Sequence, residues 1–164
     1  MTTIYYSRAR ERALQTIAEP RAGAWVSVEG PGSTELDALA KNFSLDRDNL
    51  EDAIDIYEAP RIEVDEGGVY IYTRYCRPEG KEIATEPLLI VYTPDYLITI
   101  MRTRTPILDR LTNNAIDVVT TQKTKTLLQI LTEINHSYER HTRKVSREHI
   151  AGAGPHAPSI DYQP

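Results

Sequence analysis

The sequence predicts an α/β fold of the α+β type: a mixed, largely antiparallel sheet flanked by helices in an α/β/α sandwich, with a long helix towards the carboxyl end. Three observations predict it. Residues 88–91 and 97–100 are almost continuous in apolar content, as strands covered on both faces are. The turn signals Asp65-Glu66-Gly67-Gly68 and Thr93-Pro94-Asp95 divide residues 62–101 into four short-linked strands, which is a meander. Apolar residues then recur at helical spacing on both sides of that block, around residues 36–43 and 127–145.

In chain order, residues 3–6 are apolar and β-favouring, enough for a short strand. Residues 8–18 are ambiguous: the alanines and Leu14 permit a helix, and strand pairing near 14–17 is the alternative. Trp25, Val26 and Val28 form a strand that Gly30-Pro31-Gly32 ends. A helix follows from about Thr34, with Leu36, Leu39, Ala40 and Phe43 on one stripe; Thr34 offers a cap with Asp37 three residues on. After the next, acidic segment the period changes to two. Ile62 and Val64 lead through the first turn to a strand over 69–76, which Arg77-Pro78-Glu79-Gly80 is expected to break. Thr105 and Pro106 are placed as cap and first residue of a short helix that fades at Asn113-Asn114. The last helix spans about 122–148. Its residues Leu127, Leu131, Ile134, Tyr138, His141 and Val145 form a heptad-like stripe, widened by Leu128 and Ile130, able to pack on the sheet or on another helix.

The most informative stretch is residues 45–63, LDRDNLEDAIDIYEAPRIE, with seven carboxylates and two arginines. Leu50, Ala53, Ile54 and Tyr57 define an expected buried face of an acidic helix that stops before Pro60. Asp46 is placed to cap its first turn, and Asp48 to complement the positive helix end. Glu51 and Asp52 have no such structural role. Hard divalent cations prefer oxygen ligands, and Mg²⁺ keeps much of its water shell while taking one or two carboxylates. Adjacent helix positions diverge by about 100°. Glu51 and Asp52 therefore cannot close a cage around one ion, and a strong site needs a second surface. By itself a charge run is otherwise a solvated helix face.

The order of segments carries a resemblance. Ala24-Trp25-Val26-Ser27-Val28 precedes a Pro-Gly-Ser-Thr-Glu helix start; FSLDRDNLEDAID, EAPRIE and a tyrosine-rich strand follow; then come EPLLIVYTPDYLITI, TPIL and KTKTLLQILTEINHSYERHTRKVSRE. Over residues 2–148 this resembles the amino-terminal cytoplasmic domain of CorA-type divalent-cation transporters. The resemblance implies a pentamer in the full-length protein, with Mg²⁺ or Co²⁺ bound weakly between neighbouring cytoplasmic domains. It implies Glu51 and Asp52 as metal-sensing residues of that intersubunit site. Where some relatives place a further sensing acid, this chain has Thr132, with Glu133 one step away on another face. The stalk helix, two membrane helices and Gly-Met-Asn signature of such transporters are missing. The longest apolar runs fall far below the roughly 18 residues a membrane span needs.

Composition limits the other classes. At 164 residues one core is expected. The domain is placed at 1–148, and residues 149–164 read as a flexible tail or a cloning remnant. A single cysteine, Cys76, excludes an internal disulfide and suits a reducing compartment; without a paired histidine it reads as an inert thiol. A net charge of −5 disfavours nucleic-acid binding. His136 and His141 are five apart, which does not align them as a metal pair. Tyr70 and Tyr72 share a strand face and Tyr75 takes the other, a pattern for sheet packing. The basic run Arg140, Arg143, Lys144 and Arg147 complements the helix dipole, or contacts anionic lipid heads or a neighbour's acidic face. No secretion signal, phosphate loop or oriented nucleophile is seen.

The expected function is a cytoplasmic regulatory, metal-sensing domain of a CorA-like transporter, at the cytoplasmic face of the membrane when part of a full-length protein, and not an enzyme. The alternative is a stand-alone assembly or adaptor module that kept the fold without metal sensing. The sensing reading requires both carboxylates to face outward rather than being tucked in and salt-bridged within their own chain.

Overall fold

A computed structural model of the protein describes residues 1–11, 13–79 and 82–152, with side chains for all of these except 78–79, 82–83 and 144–152. Seven strands form one sheet: β1 (Thr2–Tyr6), β2 (Gln15–Ile17), β3 (Trp25–Glu29), β4 (Arg61–Asp65), β5 (Gly68–Glu79), β6 (Glu82–Tyr92) and β7 (Leu97–Met101). Their order is β2-β1-β3-β7-β6-β5-β4. β3 runs parallel to β7, with Trp25 opposite Leu97, and the remaining pairings are antiparallel. The meander expected over residues 62–101 is therefore present as β4-β5-β6-β7, and the ambiguous residues 8–18 contribute β2.

Alternation along the central strands divides the core in two. Val26, Val28, Tyr70, Tyr72, Leu89, Val91, Ile98 and Ile100 face Leu36 and Leu39 of α1 (Ser33–Phe43) and Leu50 of α2 (Arg47–Asp52). Trp25, Tyr75, Leu88, Ile90, Leu97 and Met101 face the opposite layer. That layer is a 3₁₀ turn (Pro106–Leu108), α3 (Asp109–Thr112) and α4 (Lys123–Gly152). The runs 88–91 and 97–100 are apolar throughout because each residue meets a helical layer on one side or the other. Trp25 satisfies its indole N–H by donating to the Thr99 hydroxyl at 3.0 Å, so its ring is fully buried without an orphaned donor.

Several elements depart from expectation. β5 does not break at Arg77: it runs on to Glu79, where it pairs with Glu82 at the end of a long hairpin with β6. Gly80 lies outside the described residues. β4 begins at Arg61 opposite Tyr72, so from Thr73 onwards β5 has no β4 partner and is an edge strand, where proline is tolerated; Pro87 of β6 likewise lies outside the β7 pairing, which starts at Leu88. Helix α1 is capped by the extended Gly32 rather than by Thr34, whose position falls inside the first turn. Thr105 is extended and precedes Pro106 as expected, but its side chain makes no capping hydrogen bond.

The acidic helix is shorter than its apolar spacing suggested. Asp46 caps α2 as expected, accepting from the Asp48 and Asn49 N–H groups at 2.8 and 3.1 Å. Beyond Asp52 the backbone proceeds through successive turns in which Ala53, Ile54 and Asp55 each donate to the carbonyl three residues back. The Asp55 carboxylate then accepts from the Tyr57 N–H, an arrangement that competes with helix. Leu50 and Ala53 are buried, but Tyr57 is 86% exposed rather than part of the packed face.

Helix α4 is turned slightly from the predicted stripe. Its buried seam is Thr126, Ile130, Glu133, Ile134 and Ser137, with Leu127 and Leu131 flanking; Leu128 and Tyr138 are exposed. The side chain of Val145 lies outside the described residues. So do those of Lys144, Arg147 and His149. Of the segment read as a tail, residues 149–152 continue α4 and residues 153–164, with His156, lie outside the described residues.

Candidate functional site

The short helix α2 and the edge strand β4 bring acidic side chains together around Arg61. Arg61 and Glu63 alternate onto the same face of β4, and the guanidinium reaches back across that face to α2. Its Nη2 donates to the Asp52 carboxylate at 2.7 Å, its Nε donates to Glu63 at 2.6 Å, and its Nη1 pairs with Glu58. It lies 3.7 Å above the centre of the Tyr72 ring. Burial acts to lower the ionisation range of Arg61, but hydrogen bonds to Glu63 and Asp52 and the charge of Glu58 outweigh it and push it up. Three carboxylates therefore share one guanidinium, and the cluster keeps an excess of negative charge. Tyr72 is shifted upward chiefly by burial, with Arg61 opposing and Glu63, Asp52 and Glu58 adding to it; its hydroxyl donates to the Asn49 carbonyl at 3.1 Å.

Glu51 and Asp52 are both at the surface and diverge. The Glu51 side chain is 67% exposed and meets Arg47 at 3.3 Å, one turn earlier in α2; Arg47 also pairs with Asp37 of α1 at 2.6 Å. The Asp52 side chain is 41% exposed. The outward orientation expected of a sensing pair is present, yet each carboxylate already has an arginine partner in its own chain. Among the described residues no group of three His, Cys, Asp or Glu side chains is arranged to hold a metal ion. The donor chemistry fits a hard cation, since all the acids are oxygen ligands with lone pairs to spare, but the set is incomplete without a further surface.

The other residues weighed from sequence fall into structural places. Thr132 is exposed and bonds back to the Leu128 carbonyl, whereas Glu133 is 1% exposed and paired with Arg110 of α3 at 3.1 Å. Cys76 is buried, and burial pushes its thiol up, away from thiolate chemistry. His136 lies 3.4 Å from Glu133 and His141 meets the Ser137 carbonyl, so the two imidazoles have separate partners. Arg61 is the organising residue that the sequence reading missed. The available signal was a lone cation between Glu58 and Glu63 with strand spacing to the latter.

No helix among the described residues is long and apolar enough to cross a membrane. A family described as CorA-like Mg²⁺ transporter protein matches residues 21–151, and the chain belongs to that family. The soluble domain of CorA from Methanocaldococcus jannaschii is similar over 90% of this chain and 61% of its own length, with 24% identity and a TM-score of 0.74. The complete CorA magnesium transporter from that organism gives 23% identity and a TM-score of 0.72 over 90% of this chain. This chain spans 48% of it. The cytoplasmic domain of ZntB from Vibrio parahaemolyticus has the same fold at 10% identity, with a TM-score of 0.67, over 88% of this chain and 62% of its own. No curated protein sequence matches.

Proposed function

We propose that this chain is the cytoplasmic regulatory domain of a CorA-like divalent-cation transporter, in which Glu51 and Asp52 supply half of a weak Mg²⁺ site completed by a neighbouring copy. Co²⁺ or another divalent ion would be held by the same donors. The observation that carries the reading is the uncompensated charge at this edge: Asp52, Glu58 and Glu63 gather on one guanidinium. Glu51 stands one residue from that cluster with its carboxylate in solvent. Two such faces brought together repel by about 1–4 kcal/mol per close charge pair, between the limits of water and a protein surface. A divalent ion in the seam offsets that repulsion and favours the closed arrangement of copies. The existing salt bridges are a small obstacle, because exposed pairs of this kind contribute only about 0–1 kcal/mol. Several modest sites around a ring of subunits then bias the assembly together.

A second reading is favoured by one observation: Glu51 and Asp52 are each ion-paired within the chain. A stand-alone assembly or adaptor module that docks without metal would present such a surface. Mass measurement during Mg²⁺ titration separates the two. The sensing reading expects Mg²⁺ to raise the assembled fraction of the wild type, and the Glu51→Gln/Asp52→Asn double variant to lose that response. Superimposable curves for the two proteins would remove the pair from sensing. Assembly of both, indifferent to Mg²⁺, would establish the adaptor reading.

A further inference from the structure

The sheet ends in two unlike edges. β2 is three residues long, Gln-Thr-Ile, a short edge that offers little to a further strand. β4 is five residues long, pairs with β5 without a bulge, and contains neither lysine nor proline. Ile62 and Val64 are exposed on one of its faces. The devices that usually guard a sheet edge are thus missing from that face.

Two contacts of β5 fix the direction of the β4 backbone. The Arg74 carbonyl accepts from the Tyr138 hydroxyl at 3.1 Å, and the Cys76 N–H donates to the Ser137 hydroxyl at 3.2 Å. The even-numbered residues of β5 therefore turn their N–H and C=O groups away from β6. In an antiparallel ladder a residue turned towards a neighbouring strand exchanges both groups with the residue opposite. Tyr72, Tyr70 and Gly68 accordingly bond Arg61, Glu63 and Asp65, the last pair closing the two-residue turn at Glu66-Gly67. That leaves the N–H and C=O groups of Ile62 and Val64 on the outer edge. Neither residue has a backbone partner there among the described residues. Free peptide groups beside exposed apolar side chains are a template for a further strand.

The pattern of β4 selects its own copy as the occupant. Set antiparallel with Ile62 opposite the partner's Val64, both outward residues of each copy form hydrogen-bonded pairs, and every free group on the two edges is satisfied. Ile62 then packs against the partner's Val64 on the α4 side, and the reverse. On the other face Arg61 stands opposite the partner's Asp65, a pair of opposite charges. Glu63, on the twofold axis, meets the partner's Glu63, and this like-charged contact is the one unfavourable pair. A shift by one pair in either direction does worse. It sets Val64 opposite the partner's Pro60, which has no N–H to give, or Ile62 opposite the partner's Glu66 in the turn. We infer that β4 pairs edge to edge with the β4 of a second copy in the first of these registers, joining two sheets across an isologous contact. This goes beyond metal sensing, since the contact is made of peptide groups and apolar side chains.

The register is tested by cysteine trapping in EDTA with oxidised glutathione. The pair at the axis is a non-hydrogen-bonded one, with Cα atoms about 4.5 Å apart, within disulfide reach. Single cysteines at 62 or 64 face their own counterparts only diagonally, at about 7–8 Å. Glu63→Cys is therefore expected to give a covalent dimer at least about tenfold more abundant than Ile62→Cys or Val64→Cys gives alone, and a mixture of those two to form the mixed dimer. The wild type, with only the buried Cys76, is expected to give none. Val64→Pro removes an outward N–H that no strand of its own chain uses, so adding it to Glu63→Cys is expected to abolish trapping with thermal melting little changed. Equal trapping by the three single variants, or trapping that survives Val64→Pro, overturns the inference. A Glu63→Cys protein that stays monomeric also overturns it and leaves the edge to a strand of another protein. Because metal is absent throughout, neither failure bears on Glu51 and Asp52, and a Glu51→Gln/Asp52→Asn protein that keeps its Mg²⁺ response leaves the strand pairing standing.

Discussion

Glu133 is 1% exposed on a helix face that a hydrophobic stripe would have reserved for leucine. What keeps it there is Arg110, 3.1 Å from one carboxylate oxygen, with His136 at 3.4 Å from the same atom. The two partners of the main pair are not equivalent, since the Arg110 side chain is 51% exposed and that of Glu133 is 2% exposed. Removing Arg110 strands a buried anion, whereas removing the negative charge leaves a guanidinium that water can solvate. Arg110→Ala is therefore expected to destabilise the fold by about 2–3 kcal/mol, and Glu133→Gln by about 1 kcal/mol. Urea unfolding of the two variants checks the order, and a larger loss from Glu133→Gln would show that the carboxylate is held by something other than this pair. Nothing in the spacing of residues 127–145 announces such a contact, because the partner lies 23 positions away on α3.

Helix α4 shows how far a pattern can be read before polar pairing intervenes. The expected stripe placed Leu128 among the packing residues, yet the seam runs through Thr126, Ile130, Glu133, Ile134 and Ser137. Thr126 donates to the Val119 carbonyl, and Ser137 donates to Ile134 and accepts from the Cys76 N–H, so these polar residues are buried with their hydrogen bonds made. Satisfied polar groups rotate the helix relative to what apolar spacing alone indicates. Ile130→Ala is expected to cost about 2–4 kcal/mol as a core cavity, and Leu128→Ala to stay within about 0.5 kcal/mol. Equal effects in thermal or denaturant unfolding would mean that the stripe, not the seam, faces the sheet. The same limit explains the other departures. The four-strand meander, the two-sided burial of β6 and β7, the Asp46 cap and the opposite faces of Tyr72 and Tyr75 all follow from local chemistry and were legible. The early end of α2, the continuation of β5 through Pro78 and the gathering of carboxylates on Arg61 depend on which neighbours arrive in space, and these were not.

At the scale of the molecule, the sheet is covered unevenly. The central strands have helices on both faces, but β4 is an edge strand, and its Ile62 and Val64 are 68% and 75% exposed. They pair with Ile71 and Val69, and so stand on the α4 side, beyond the reach of that helix. Ile56 and Tyr57, in the turns before β4, are also exposed. This apolar edge adjoins the acidic cluster on the opposite face of the same strand, which places both ingredients of an intersubunit seam together: area to bury and charge for a cation to relieve. In the assembly proposed above, the apolar part supplies association and the carboxylates make it responsive to metal. Ile62→Lys places a charge on the strip without disturbing the core, so its stability is expected to remain within about 0.5 kcal/mol of the wild type. Its assembled fraction is expected to fall both with and without Mg²⁺, whereas the Glu51→Gln/Asp52→Asn variant loses only the dependence on Mg²⁺. Analytical ultracentrifugation of the two variants across a Mg²⁺ series reads both effects, and an Ile62→Lys protein that assembles as the wild type does would show that copies meet through some other surface.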